Sequence, residues 1–333
     1  MDSITQIALG AAVSEAVVGR YVGRKAFLWG AIAGTIPDLD VLIPFGDPIK
    51  DFTYHRSFSH SFLFLAVLTP ILTWLIVRIH PSTSIYRKRW LAGVFLVLIT
   101  HPLLDCFTVY GTQIFWPFSE YPVTWSTVFI VDPAYTLPLL AGSLCALIMS
   151  RNSLRGRYLN TAGLILSSAY LVFSIAGKWQ VERMAASTAA QHHLANASYV
   201  TAAAPFTTLL WRVVFVDGNR YGEGFYSLFD KADSIRLTWY ESEPPLLRNI
   251  AGTWPVQRLQ WFTKGFYRVR AQNDHVSITD LRMGQEPFYV FSFIVGEIKN
   301  GLVMPMLPTR TPSERADPDQ ILWIWDRIWD QTK

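Results

Sequence analysis

Apolar runs long enough to cross a bilayer recur through the first half of this chain, and they constrain it more than any other feature. A spanning helix needs about 20 mostly apolar residues, because in hydrocarbon every backbone N–H and C=O must find its partner within the segment. Six stretches show that pattern, at roughly 4–19, 26–45, 61–79, 90–107, 128–150 and 158–177. The first is short and contains Glu15. The second carries Pro37, Asp38 and Asp40 near its end, which predicts a helix that breaks before it leaves the membrane. From Lys178 onward charged residues become more frequent and the pattern turns soluble. The expected architecture is a polytopic α-helical membrane domain of about six spans over 1–177. A soluble α+β domain with an antiparallel sheet is expected over 178–333.

Composition agrees with this reading. Charged residues make up 16% and hydrophobic residues 51%, whereas about 25% charged is usual in soluble proteins. The net charge of +4 is distributed as short positive clusters between apolar runs, a pattern of membrane topology and not a nucleic-acid footprint. Arg20, Arg24 and Lys25 lie in the first loop. Arg78, Arg87, Lys88 and Arg89 lie in the third, and Arg151, Arg155 and Arg157 in the fifth. Positive loops mark the cytoplasmic side. The loops near 47–60 and 108–127 and the C-terminal half are then expected on the opposite side. In a bacterium that side of the inner (cytoplasmic) membrane is the periplasm. Cys106 and Cys145 form neither a disulfide framework nor a CxxC metal knuckle.

Ionisable residues in or beside the apolar runs are the candidates for function, since charge in a membrane is costly and is kept for polar cavities and sites. They are Asp38 and Asp40, His55 and His60, His101 and Asp105, and Asp132. Each falls at a span end that the positive loops assign to the non-cytoplasmic face, which is why they read as one site. Neutral imidazole and carboxylate are ligands of zinc and similar divalent ions, and the set suffices for one metal or two. His101 and Asp105 are four apart and share a helix face if the helix continues through Pro102. On one helix His55 and His60 would point about 140° apart, so a loop or helix start is expected there, with Ser57 or Ser59 as cap. A bound metal lowers the pKa of its water to about 7, and a spare carboxylate then serves as general base. Asp38 and Asp132 are the carboxylates considered for catalysis. Arg56 is either an anion clamp for substrate or a partner for Asp51 or Asp47. The same residue types also build proton or ion paths.

Several strings together resemble the bacterial membrane-bound metal-dependent hydrolases of the YdjM type, the LexA-regulated inner-membrane hydrolases. They are the opening Asp2-Ser3-Ile4-Thr5, Gly34-Thr35-Ile36-Pro37-Asp38-Leu39-Asp40, His55-Arg56 with Ser59-His60-Ser61, His101-Pro102-Leu103-Leu104-Asp105, and Gly111-Thr112 followed by Trp116-Pro117-Phe118. The resemblance covers about residues 1–145. A looser similarity connects the Pro-Asp and His-Arg…His-Ser strings with zinc-dependent phospholipase C proteins. The resemblance implies a hydrolase using a divalent metal, with zinc expected and Asp38, Asp40, His55, His60, His101 and Asp105 as candidate ligands. One departure stands out. This chain reads Thr5-Gln6 where the family usually reads Thr-His, and glutamine is a poor zinc ligand.

After the membrane domain, 178–194 reads as a helix leaving the bilayer. The runs at 209–217, 221–228, 235–240, 258–261, 267–271, 276–280 and 289–295 read as strands, and the tail from Ser313 or Asp317 through Trp329 as a final helix. Asp217-Gly218-Asn219 is a turn signal. The functional expectation is a membrane-embedded metal-dependent hydrolase that meets membrane lipids and acts on a lipid, a lipid-linked phosphate or another amphiphile. Two other classes compete with it: an ion- or proton-coupled transporter, and a non-catalytic membrane scaffold with a partner-binding soluble domain. A transporter would need polar groups continuing toward the cytoplasmic face, where the apolar runs offer little beyond Glu15.

Overall fold

The computed structural model describes residues 1–149, 153–194, 196–312 and 318–331. The chain divides into two units, Met1–Ile43 with Arg56–Ile175, and Pro44–His55 with Ala176–Lys333. The sequence reading leaves 44–55 with the membrane domain, whereas here this segment packs within the second unit.

The first unit begins with α1 (Ser3–Ser14), whose orphan N–H groups at Ile4 and Thr5 are capped by the Asp2 carboxylate. The chain continues as a π-helical stretch, Glu15–Gly19, and then as α2 (Arg20–Val22), α3 (Lys25–Thr35) and a 3-10 turn, Pro37–Leu42. After α4 (Pro48–Tyr54), which belongs to the second unit, come α5 (Phe62–Ile79), α6 (Arg87–Cys106) and α7 (Pro133–Ile148). The last helix of this series, α8 (Leu154–Gln191), runs on into the second unit.

Among the described residues, three helical stretches are long and apolar enough to cross a membrane: Phe62–Ile79, Pro81–Cys106 and Leu154–Gln191, with α7 as a shorter apolar helix. The expectation of six spans is therefore corrected. The run at 4–19 is a 12-residue α-helix that passes into π geometry at Glu15. The run at 26–45 ends as α-helix after 11 residues, at Thr35, where Pro37 opens the 3-10 turn. The fifth run yields only the 16-residue α7. Val67, Ile71 and Trp74 on α5 and Ile165, Leu166 and Val172 on α8 are exposed apolar side chains. That is the surface a lipid-facing helix presents.

Glycines set the approach of α1 to α3. A Cβ on Gly10 would lie 2.3 Å from the Gly30 carbonyl oxygen, and one on Gly34 would lie 2.6 Å from the Gln6 carbonyl oxygen. Only residues without a side chain allow the two backbones so close. A core of Val18, Ala26, Leu65, Leu72, Ile76, Trp90, Val94 and Leu98 then joins α3, α5 and α6 to the end of the first helical run.

Among the described residues, the second unit carries two four-stranded antiparallel sheets and a small hairpin. The first sheet, in the order β1 (Ser198–Ala203), β2 (Leu210–Asp217), β3 (Arg220–Ser227), β4 (Thr238–Glu241), is a meander. Its β2–β3 hairpin turns at Gly218, whose φ is +61°. The second sheet has the order β10 (Leu302–Arg310), β9 (Ser292–Lys299), β6 (His275–Asp280), β5 (Tyr267–Gln272). The hairpin pairs β7 (Gly284–Gln285) with β8 (Phe288–Tyr289). Val181 and Ala185 of α8 pack on Trp211, Val213 and Phe215 of the first sheet. Phe52 of α4 packs on Phe262, Phe291 and Phe293, with ring centroids 4.7, 4.4 and 5.3 Å away. The predicted strand at 258–261 is instead part of a helix, α9 (Trp254–Phe262), which begins with Pro255 in its first turn and buries Val256, Leu259 and Phe262. Apolar residues three apart had helical period, and the short window read as a strand conceals it. β1 and β10 were not anticipated. The final helix is α10 (Pro318–Trp329); the earlier start expected from Ser313 or Asp317 lies outside the described residues.

A buried polar network links the sheets. Arg212 donates to Glu223 at 3.0 Å and to the Tyr289 hydroxyl at 3.3 Å. Glu286 accepts from the Tyr221 hydroxyl at 2.6 Å and from Arg268 at 2.8 Å. Arg212 and Glu223 are both buried, so each charge depends on its partner.

Candidate metal centre

Four ligand-type side chains from three parts of the first unit converge. Asp38, His60, His101 and Asp105 each offer an atom within 4.8 Å of the others. Asp38 comes from the 3-10 turn after α3, and His60 from the single 3-10 turn before α5. His101 and Asp105 come from the last turns of α6, which stays helical through Pro102. His60 Nε2 lies 3.3 Å from Asp38 Oδ1 and 3.3 Å from Asp105 Oδ2. His101 Nε2 lies 3.4 Å from Asp38 Oδ1 and 3.5 Å from Asp105 Oδ2.

The histidines are oriented from behind. His101 Nδ1 lies 2.7 Å from the Gly34 carbonyl oxygen. A carbonyl only accepts, so Nδ1 carries a proton, and Nε2 is the nitrogen turned toward the cluster. His60 Nδ1 lies 2.9 Å from Ser59 Oγ and 3.6 Å from Asp40 Oδ2. Asp40 Oδ2 in turn accepts from Ser59 Oγ at 2.8 Å and from the Arg56 amide at 2.9 Å. The predicted cap is also corrected. Ser61, not Ser57 or Ser59, caps α5, by accepting from the Phe64 amide, while Ser59 is engaged with Asp40 and His60.

Asp105 is held at one oxygen and presented at the other. Its Oδ1 accepts from the Gln6 amide nitrogen at 3.1 Å, lies 3.5 Å from Arg56 Nη2 and pairs with the amino group of Met1. Its Oδ2 faces the two histidines. Arg56 is buried, at φ +62°, and its Nη1 donates to Thr108 Oγ1 at 3.1 Å. Its ion pair is thus to Asp105. Asp47 caps α4, and Asp51 accepts from the Phe45 amide.

The residues present fit a divalent metal. Among the described residues, buried His101 Nε2 and Asp105 Oδ2 make no hydrogen bond, and an uncompensated buried polar atom is costly unless something occupies the space between. A tetrahedron with bonds of about 2.0–2.1 Å has edges of roughly 3.3–3.4 Å, close to the four N–O separations above. Of the other residues singled out in the sequence, Asp40 stands behind His60. His55 closes α4 in the second unit. Asp132 caps α7 and accepts from the Tyr170 hydroxyl at 2.8 Å. None of these three is among the four. The positions that sequence reasoning undervalued are Gln6, Ser59 and the Gly34 carbonyl. Gln6 left a trace in the sequence, as the polar residue where the resembling family has histidine, and Ser59 did so as a candidate cap within the His55–Ser61 string.

A Bacillus subtilis (strain 168) protein described as "Uncharacterized protein YfhP" is 28% identical over 151 residues, 42% of this chain and 45% of that protein. The chain therefore spans less than half the length of this relative. No solved structure matches the chain. The family model described as YdjM inner membrane protein matches residues 1–181. That segment is more than half of the chain and holds all four clustered side chains, so this chain belongs to the YdjM inner membrane protein family.

Proposed function

We propose that the protein is a membrane-embedded, metal-dependent hydrolase whose site opens at the non-cytoplasmic bilayer face and takes a lipid, a lipid-linked phosphate or another amphiphile. The observation that carries this reading is the convergence of Asp38, His60, His101 and Asp105 within 4.8 Å, with His101 held by a carbonyl behind it. These four residues would hold the ion, zinc by donor type: two imidazole nitrogens with two carboxylates. Bound there, the ion supplies Lewis-acid polarisation of a substrate oxygen and acidifies water to make a nucleophile near neutral pH.

The chain's own groups divide the remaining work. Arg56 neutralises the outer oxygen of Asp105, so that two carboxylates can be held close together. Asp38 is the one partly exposed member, with a side chain 22% accessible beside fully buried His60 and Asp105. It is therefore the one of the four placed to meet substrate. Leu39, Val41 and Leu42, on the same 3-10 turn, are exposed apolar residues. Their position beside Asp38 favours an amphiphilic substrate entering along the turn. The positive cluster Arg87–Arg89 at the start of α6 supports the assignment of the site to the other face, because His101 and Asp105 stand at the far end of that helix and His60 just before α5.

The test is hydrolysis of phospholipid and lipid-linked phosphate panels by the full-length protein in liposomes. The proposal expects release that stops with chelator, returns with added zinc and is absent in His101→Ala. Release that persists in chelator and in His101→Ala would count against it.

A further inference from the structure

The C-terminal helix α10 has two apolar faces, and folding uses only one. Ile324 and Ile328 are buried against Leu210 and Ala204. Arg327 locks the same side through Asp230, at 2.7 Å. On the opposite side Leu322 is 65% exposed, Trp325 49% and Trp329 68%. These three recur at spacings of three and four, so they form one stripe. The Trp329 ring stacks on Phe229, itself exposed, with centroids 4.9 Å apart and planes at 18°.

The neighbourhood of that stack says what covers it. Phe229 follows Leu228, whose carbonyl accepts from Gln180 of α8 at 3.5 Å and whose side chain lies against Gly177. The apolar stretch of α8, 158–177, precedes Lys178. Its 20 residues rise roughly 30 Å at about 1.5 Å each, the thickness of the hydrocarbon core. The turn at 177–180 is therefore where α8 reaches the headgroups. Trp179, exposed on that turn, carries the Arg183 guanidinium 4.8 Å above its ring. An amphipathic ring with a basic group one turn farther out is the arrangement of a membrane-interface anchor. The half-buried Lys178 amine is turned inward to the Thr201 carbonyl and to Glu182, away from lipid.

We infer that Trp179 and the Phe229–Trp329 stack, with the Leu322–Trp325–Trp329 stripe of α10, form an aromatic patch at one depth that inserts into the headgroup–acyl boundary of the bilayer. The partner is the lipid surface itself, and α10 is an interfacial helix that ties the sheet unit to the membrane at the exit of α8. The inference does not depend on the metal centre.

The experiment uses the full-length protein in liposomes, with Cys106 and Cys145 replaced and a nitroxide attached at position 325 or 329 in turn. Collision with O2, which partitions into lipid, is compared with collision with a water-soluble nickel chelate. A third label at 307, where Leu307 is 86% exposed on β10, gives the aqueous reference. The expected result is an excess of O2 collisions at 325 and 329 and of nickel collisions at 307. Nickel excess at 325 and 329 would overturn the inference, as would exclusion of both colliders, which would mean a protein partner covers the patch. Because a label can perturb the helix, a second measurement uses unlabelled protein. Brominated lipid should quench less tryptophan fluorescence in the W179F/W325F/W329F variant than in the wild type, and equal quenching would contradict insertion.

Discussion

The side-chain amide nitrogen of Gln6 lies 3.1 Å from Asp105 Oδ1, while the other oxygen of that carboxylate faces His60 and His101. The same nitrogen also donates to the His101 carbonyl at 3.2 Å. Gln6 thus acts on the cluster through Asp105, fixing which oxygen points inward. A donor to a ligating carboxylate is worth roughly 10–100-fold in metal affinity. The Gln6→Ala variant is expected to bind zinc weaker by about that factor, measured by competition with a chromophoric chelator. An affinity equal to wild type would remove Gln6 from the site.

Asp40 behaves differently from a ligand in this arrangement. It holds Ser59 and the Arg56 amide, and through Ser59 it sets the His60 ring. Asp40→Ala should weaken zinc binding by about 10–100-fold, whereas His60→Ala should abolish binding in the same assay. If Asp40→Ala removes the metal as completely as His60→Ala does, Asp40 coordinates directly.

The approach of α1 to α3 is a separate requirement. A Cβ on Gly30 would lie 2.4 Å from the Gly10 carbonyl oxygen, which is backbone and cannot rotate away. Gly30→Ala should cost about 1–3 kcal/mol or more through overpacking, and it should loosen Gln6 and Gly34 together because both lie on these helices. Thermal unfolding in detergent checks the first effect and chelator competition the second.

In the sheet unit, Glu223→Ala leaves the buried Arg212 guanidinium without its carboxylate. The expected loss is about 3–5 kcal/mol, read as a lowered denaturation midpoint of the second unit. Leucine at both positions 212 and 223 should recover much of this loss if charge burial is its cause.

Alkaline stability follows from Tyr221. Burial, together with its bond to Glu286, pushes its hydroxyl from 10.0 up to about 12. A raised pKa means that the folded state keeps a proton the unfolded state has released. The contribution is therefore complete below pH 10 and is lost as pH rises toward about 12. Tyr221→Phe should make the fall in stability across that window shallower. Some slope should remain, because burial raises Tyr289 as well. Fluorescence-monitored denaturation at successive pH values measures the slope.

What was legible in the sequence was chemistry that announces itself locally. His101 and Asp105 were readable as a pair because one helix carries both, and the Pro-Asp string marked a break in an apolar run. His60 and His55 looked equivalent in sequence, yet the chain turns between them. Arg56 takes a left-handed backbone conformation, and α4 joins the other unit. No local pattern encodes that divergence. The spans were overcounted for a related reason. Hydrophobic content marks a run as buried but does not say whether lipid or protein buries it, and α1 and α3 are short helices packed on each other through glycine. The Gly34 carbonyl behind His101 is a backbone atom, so no residue type could reveal it.

The most direct test of the metal centre is elemental analysis of the full-length protein, purified in detergent without chelator and reconstituted with zinc, beside the His60→Ala/His101→Ala double variant. Stoichiometric zinc is expected in the wild type and its loss in the double variant, with helical content unchanged by circular dichroism. A wild type that holds no divalent metal after reconstitution, or a double variant that holds as much as the wild type, would contradict it.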